Sequence, residues 1–226
     1  MLKYLFIDFD GVITDTEKEV YRLMREWILE HTGHTLTLEE YAIAAGAWHV
    51  ELVNYFQREY QIDLDEMGFT RFCHTLEERA LSRLPLMPGV ARWLEDAASL
   101  GIRCAIVSSN RAQTIHSRLD FLGLRDYFAF VLTADDATAL KPDPDLYLQA
   151  LQRAEVTPKE ALVIEDSMNG VRAAAAAGLR ALAVPCSVTI GHAFDEAWWK
   201  LNSLEDVSLA EVVERFGKET QESRQK

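Results

Sequence analysis

Apolar residues come in two rhythms along this chain. Tyr4 to Ile7 is a short unbroken apolar run, the pattern of a buried strand. After Gly11 the period lengthens. Val20, Leu23, Met24, Trp27 and Ile28 recur at helical spacing and predict a helix over 16–31, with Thr16 and Glu19 at capping-box spacing at its start. Thr37 and Glu40 repeat that spacing ahead of Tyr41 to Ala45. Trp48, Leu52, Phe56 and Tyr60 predict a further helix, and Phe69, Phe72, Leu76, Ala80 and Leu84 another. Pro85, Pro88 and Gly89 then break the pattern. Residues 15–86 therefore read as an all-helical insert, set apart from residues 1–14 and 87–226.

From Val90 onward short apolar runs alternate with helical periods. A helix carrying Val90, Trp93, Leu94 and Ala97 stops at Gly101, and Arg103–Val107 follows as a strand. A helix over 112–122 carries Ile115, Leu119 and Leu122 and stops at Gly123. Residues 130–132, 161–164 and 181–184 read as strands. Between them lie a helix with Leu146, Tyr147, Ala150 and Leu151 and an Ala-rich one over 170–177, closed by Gly178. Residues 187–207 show no clear period. Ser208 and Glu211 cap a last helix to Phe216, with a frayed polar tail after Gly217. Such alternation implies an α/β fold: a parallel sheet with helices on both faces. Ligands then bind at the carboxyl ends of the strands.

Polar residues gather at those ends. Asp8 and Asp10 follow the first strand two residues apart, on one face, with Gly11 next. Crowded carboxylates repel and are costly to bury unless a cation joins them, and Mg²⁺ takes oxygen ligands. Ser108-Ser109-Asn110 ends the second strand, Lys141 precedes Pro142, and Glu165-Asp166-Ser167 ends the strand over 161–164. Each has a plain reading alone: a solvated turn, a helix N-cap, an exposed lysine, a second N-cap. On one rim they read as a phosphoryl-transfer site. Hydroxyls and backbone N–H groups hold phosphate oxygens, Lys141 and a cation neutralise them, and one aspartate attacks while the other moves protons.

Composition narrows the partners. The chain has 226 residues, a formal net charge of −13 and a pI near 4.9, which disfavours nucleic acid or an anionic membrane as partner. Cys73, Cys104 and Cys186 are widely spaced and odd in number, which argues against a disulfide framework or zinc site and fits the cytoplasm. The apolar start is one strand long and runs straight into Asp8, so no signal peptide is expected. No G-x-x-x-x-G-K-[ST] loop is present.

Taken in order, Asp8-Phe9-Asp10-Gly11-Val12-Ile13-Thr14-Asp15-Thr16, Ser108, Lys141-Pro142 and Glu165-Asp166-Ser167, with Gly170 and Ala177-Gly178, resemble the motifs of the haloacid dehalogenase (HAD) superfamily. The likeness covers nearly the whole chain. It is closest to the branch with a helical cap after the first motif, which holds β-phosphoglucomutase-like and phosphoglycolate-phosphatase-like proteins. The resemblance implies a Rossmann-like core over 1–14 and 87–226 and a cap over 15–86. It implies Asp8 as nucleophile and Mg²⁺ ligand, and Asp10 as acid/base and metal ligand through its backbone carbonyl. Ser108 and Lys141 would hold the phosphoryl group, with Gly11, Ser109 and Asn110 beside them. Asp166 would complete the metal ligands, with Glu165 in support. A cytoplasmic, monomeric Mg²⁺-dependent phosphatase of small phosphorylated metabolites is expected. Within the cap the pattern departs: Val20 stands where β-phosphoglucomutase-like sequences carry histidine, and His49 where they carry a phosphate-binding arginine. A sugar-phosphate mutase stays open as an alternative, as does, more remotely, a non-catalytic phospho-receiving regulatory module.

Overall fold

Every residue of Tyr4–Ile7 (β1) is buried, because this strand sits inside its sheet with helices over both faces. The computed structural model describes residues 1–44, 48–79 and 84–222. Arg103–Val107 (β2), Phe128–Leu132 (β3), Ala161–Glu165 (β4), Arg180–Ala183 (β5) and Trp199–Lys200 (β6) complete a parallel sheet of order β3-β2-β1-β4-β5-β6. Strand β1 lies between β2 and β4, with Ile7 level with Ile106 and Ile164. The loops after these three strands therefore open on the same rim. The expected parallel α/β sheet is what the chain forms.

Alternation along β1 feeds two cores. Leu5 and Ile7 join Trp93, Leu94, Ile115, Leu119 and Phe216 on one face. Tyr4 and Phe6 join Leu146, Tyr147, Val171 and Ala174 on the other. The covering helices are Val90–Ser99, Ala112–Leu122, Asp145–Ala154, Met168–Ala176 and Leu209–Glu222, numbered below α5 to α9 in chain order after the four described next.

The chain divides into two compact units, Met1–Asp15 with Pro85–Lys226, and Thr16–Leu84. The second holds Thr16–Thr32 (α1), Leu38–Ala44 (α2), Trp48–Tyr60 (α3) and Phe69–Arg79 (α4), with no strand among its described residues. Its interior includes Ile28, Leu36, Leu52, Phe56, Leu64 and Phe69. The Thr37–Glu40 capping box forms: Glu40 N donates to Thr37 Oγ1 at 3.2 Å, and Thr37 N to Glu40 Oε2 at 2.8 Å. Tyr60 Oη and the His34 ring also reach the Glu40 carboxylate. Ala45 and Ala80 lie outside the described residues.

Two local expectations are corrected. Thr16 and Glu19 make no capping box: Thr16 Oγ1 is buried without a partner, and Glu19 is drawn to Arg22 by an ion pair one turn on. Helix α9 does not fray at Gly217. It runs to Glu222, braced across the glycine by Glu214–Lys218 and Arg215–Glu219 pairs at i,i+4 spacing. Residues 187–207 hold the edge strand β6, too short to show a period. No helix among the described residues is long and apolar enough to cross a membrane.

Candidate active site

Strand β1 ends by handing its backbone to a tight loop. Asp8 N still donates to Ile164 O at 3.0 Å, and Ile13 N then closes back on Phe9 O at 2.9 Å. Gly11 adopts φ +79°, and a side-chain carbon there would sit 2.1 Å from Asp166 Oδ2. Glycine is required twice over, for its left-handed backbone and for the approach of that carboxylate. Its N–H is committed to Thr14 O at 2.8 Å.

Lys141 joins the strand ends. Its Nζ donates to Asp8 Oδ1 at 2.6 Å, to Glu165 Oε1 at 2.6 Å and to Val107 O at 2.7 Å, using all three protons. Tyr147 Oη also donates to Glu165 Oε1 at 2.9 Å. Ser167 Oγ donates to Glu165 Oε2 at 3.0 Å while accepting from Gly170 N at 3.0 Å as the N-cap of α8. Gly170 has no room for a side chain, since one would lie 1.8 Å from Glu165 Oε1. Asp166 Oδ2 accepts from Thr189 Oγ1 at 3.4 Å.

Oxygens of Asp8, Glu165 and Asp166, all buried, lie within 4.8 Å of one another. Burial pushes the Asp8 carboxyl well above its usual range; Lys141 pulls it back, and the like charges of Glu165 and Asp10 push it up again. Burial also works against the Lys141 ammonium, but Asp8 and Glu165 outweigh it and hold its pKa well above the usual lysine value. Three carboxyl groups thus crowd around the single Lys141 ammonium. An all-oxygen, electron-rich, buried donor set fits a hard divalent cation such as Mg²⁺.

Asp10 stands apart from that cluster. Its Oδ1 accepts from Arg118 Nη1 at 2.7 Å and its Oδ2 from Asn110 Nδ2 at 3.1 Å. Asn110 is braced in turn, for its N donates to Ser108 Oγ at 3.1 Å and its Oδ1 accepts from Arg111 N at 2.7 Å. Asn110 thus holds Asp10 through its side-chain amide. Ser109 Oγ is buried without a partner. The plain N-cap reading of 108–110 fails, because Arg111 occupies the N-cap position of α6 and makes no side-chain cap. His49 lies on α3, its side chain outside the described residues.

Asp8, Lys141, Glu165 and Asp166 are brought together, with Ser108 and Asp10 on the same rim. Arg118, Tyr147 and Thr189 were not anticipated. Arg118 was within reach, since Ile115, Arg118, Leu119 and Leu122 share one helical stripe, and an arginine there is out of character. Tyr147 reads from sequence as core only, beside Leu146, Ala150 and Leu151. Nothing in the period around Thr189 marks it.

The family of haloacid dehalogenase-like hydrolases matches residues 4–184. "Putative phosphatase YhcW" of Bacillus subtilis is 32% identical over 96% of this chain and 98% of its own. A Thermotoga maritima protein named phosphorylated carbohydrates phosphatase is 31% identical over 87% of this chain and 91% of its own. Among solved structures, CbbY from Rhodobacter sphaeroides in complex with xylulose-(1,5)bisphosphate superposes with TM-score 0.72 at 26% identity, covering 93% of this chain and 98% of that one.

Proposed function

The chain belongs to the haloacid dehalogenase-like hydrolases, and from that premise we propose that it is a Mg²⁺-dependent phosphatase of small, sugar-phosphate-like monoesters that works through an aspartyl-phosphate on Asp8. It is a phosphatase of that superfamily, as its relatives are. The observation that carries the finer reading is the buried Asp8–Lys141–Glu165 arrangement, with a carboxylate and an ammonium 2.6 Å apart at the end of β1.

Asp8, Glu165 and Asp166, with the Asp10 carbonyl, would hold Mg²⁺, which when bound would neutralise phosphoryl charge. An Asp8 carboxylate oxygen attacks phosphorus; the bond to the leaving oxygen breaks, and Asp10 supplies the proton that oxygen needs. Lys141 Nζ and the Ser108 hydroxyl bear the charge on the phosphoryl oxygens. Water then attacks phosphorus, Asp10 takes its proton, and phosphate leaves with the Asp8 carboxylate restored. The engaged Asn110 amide belongs to the acid/base side of this arrangement.

The substrate class is supported by the phosphorylated-carbohydrate phosphatase among its relatives and by the sugar bisphosphate in CbbY. A mutase needs a cation for the distal phosphate. Val20 cannot supply one, and His49 is a poorer phosphate ligand than arginine at neutral pH. Purified protein should therefore release phosphate from an aryl phosphate, and from some of a panel of phosphorylated sugars, only with Mg²⁺. Coupled assay on the same preparation should show little conversion of β-glucose 1-phosphate to glucose 6-phosphate. Metal-independent turnover would overturn the mechanism, and mutase turnover exceeding phosphate release would overturn the ranking.

A further inference from the structure

Arg118 is 3% exposed, in a helix whose neighbouring core positions Ile115 and Leu119 are fully buried. Its Cζ stands 5.7 Å from the Phe9 ring. Of its donors, Nη1 bonds Asp10 Oδ1 at 2.7 Å, whereas Nε and Nη2 are buried with no partner. Unmade hydrogen bonds on a buried guanidinium are costly, and an apolar side chain would pack this stripe better. With two donors left unsatisfied, packing against Phe9 and the core stripe gives little reason for an arginine here. The contact with Asp10 does. Arg118 grips one carboxylate oxygen and Asn110 the other, so both torsions of the Asp10 side chain are fixed from opposite sides.

We propose that Arg118 is the positioning residue of the acid/base: it aims the Asp10 carboxyl at the leaving oxygen without touching the substrate. This rests on the role given to Asp10 above. Proton delivery demands that alignment, and small misplacements of a reacting group cost large factors in rate. Lysine cannot substitute fully, because a point charge on a flexible stem lacks the fixed fork of a guanidinium.

The test separates aim from fold by varying the need for an acid. An alkyl phosphate needs its leaving oxygen protonated, whereas 2,4-dinitrophenyl phosphate does not. Arg118→Met should lose on the order of 10²-fold in kcat on the alkyl phosphate, with KM nearly unchanged, yet stay within about fivefold in the burst that phosphorylates the enzyme from the dinitrophenyl ester. Arg118→Lys should fall between the two, and it serves alone if the methionine variant does not fold by circular dichroism. Equal losses on both esters, or none on either, would overturn the proposal. Asp10→Asn is run in parallel. If it shows the leaving-group dependence and the Arg118 variants do not, this inference falls and the reading of Asp10 stands. If Asp10→Asn lacks it, that reading falls and takes the inference with it.

Discussion

Lys141→Met is the most informative single change, because it removes one charge and little volume from the centre of the site. Lys141 Nζ lies 2.6 Å from Asp8 Oδ1 and from Glu165 Oε1. At an effective dielectric of about 20, each contact attracts by roughly 6 kcal/mol before desolvation is counted. Burying the charged groups offsets most of that, and removing one partner of a buried pair costs about 3–5 kcal/mol of stability. The three carboxylates left behind lie within 4.8 Å of one another, so each ionised pair repels by at least roughly 3 kcal/mol at the same dielectric. Proton uptake or a divalent cation relieves this. In EDTA the variant should therefore unfold at lower denaturant than the parent, by about 3–5 kcal/mol. Saturating Mg²⁺ should recover part of the loss, about 2.7 kcal/mol at a hundredfold excess over Kd. Turnover should stay about 10²–10³-fold down even then, because the charge on the phosphoryl oxygens has lost a fixed partner. Stability in EDTA within about 0.5 kcal/mol of the parent would show that Lys141 does not hold the carboxylates together.

Three further outcomes are expected. Asp8→Asn should lower phosphate release on the order of 10³-fold or more while the circular dichroism spectrum is kept; near-parental turnover would remove the covalent mechanism. Gly11→Ala should weaken activation by Mg²⁺, since the new carbon would meet Asp166 Oδ2 at 2.1 Å on a left-handed backbone, at a stability cost of about 1–3 kcal/mol; an unchanged Mg²⁺ titration would separate Asp166 from the metal. In the helical unit, burial pushes the Glu40 carboxyl up, but the Tyr60 hydroxyl, the Thr37 amide and His34 outweigh it and lower it from 4.5 to about 2. Depressed on folding, it adds about 3 kcal/mol that is present above pH 4.5 and lost as pH falls through 2. Glu40→Gln should flatten that acid limb in pH-dependent unfolding, and an unchanged limb would place the acid sensitivity elsewhere.

The fold was legible where period and punctuation agree. Helix α6 follows its predicted span, 112–122, because Ile115 and Leu119 define the stripe and Gly123 takes the left-handed cap. Legibility fell where tertiary contacts choose between local options. Thr16 and Glu19 have the spacing of a cap, yet Arg22 takes the glutamate. Gly217 looks like a stop, yet ion pairs carry α9 past it. In the site, carboxylates two apart at a strand end announce themselves, because the cost of crowding them is visible in one dimension. What holds them is not. Tyr147 is one aromatic among many on an apolar stripe, and Thr189 reaches Asp166 across 23 positions of chain. Asn110 reads from sequence as part of a phosphate-binding strand end, through backbone N–H groups; only the fold shows its side-chain amide turned to Asp10.

The loop after β1 has a consequence for how this chain could change over time. Thr14 pairs with Leu86 across an antiparallel bridge, and Met87 N donates to Ile13 O at 2.8 Å. The chain thus leaves the sheet-bearing unit and returns to it at adjacent points, as at the neck of a purse. Whatever lies between Thr16 and Leu84 is, to the sheet, a single loop already sewn shut at its base. Its length and content can be rewritten, by insertion, exchange or drift, without moving Asp8 relative to Lys141 or Asp166. The sheet-bearing unit and the helical unit can then evolve on separate clocks, the first held nearly still by its buried charge and the second free of that constraint.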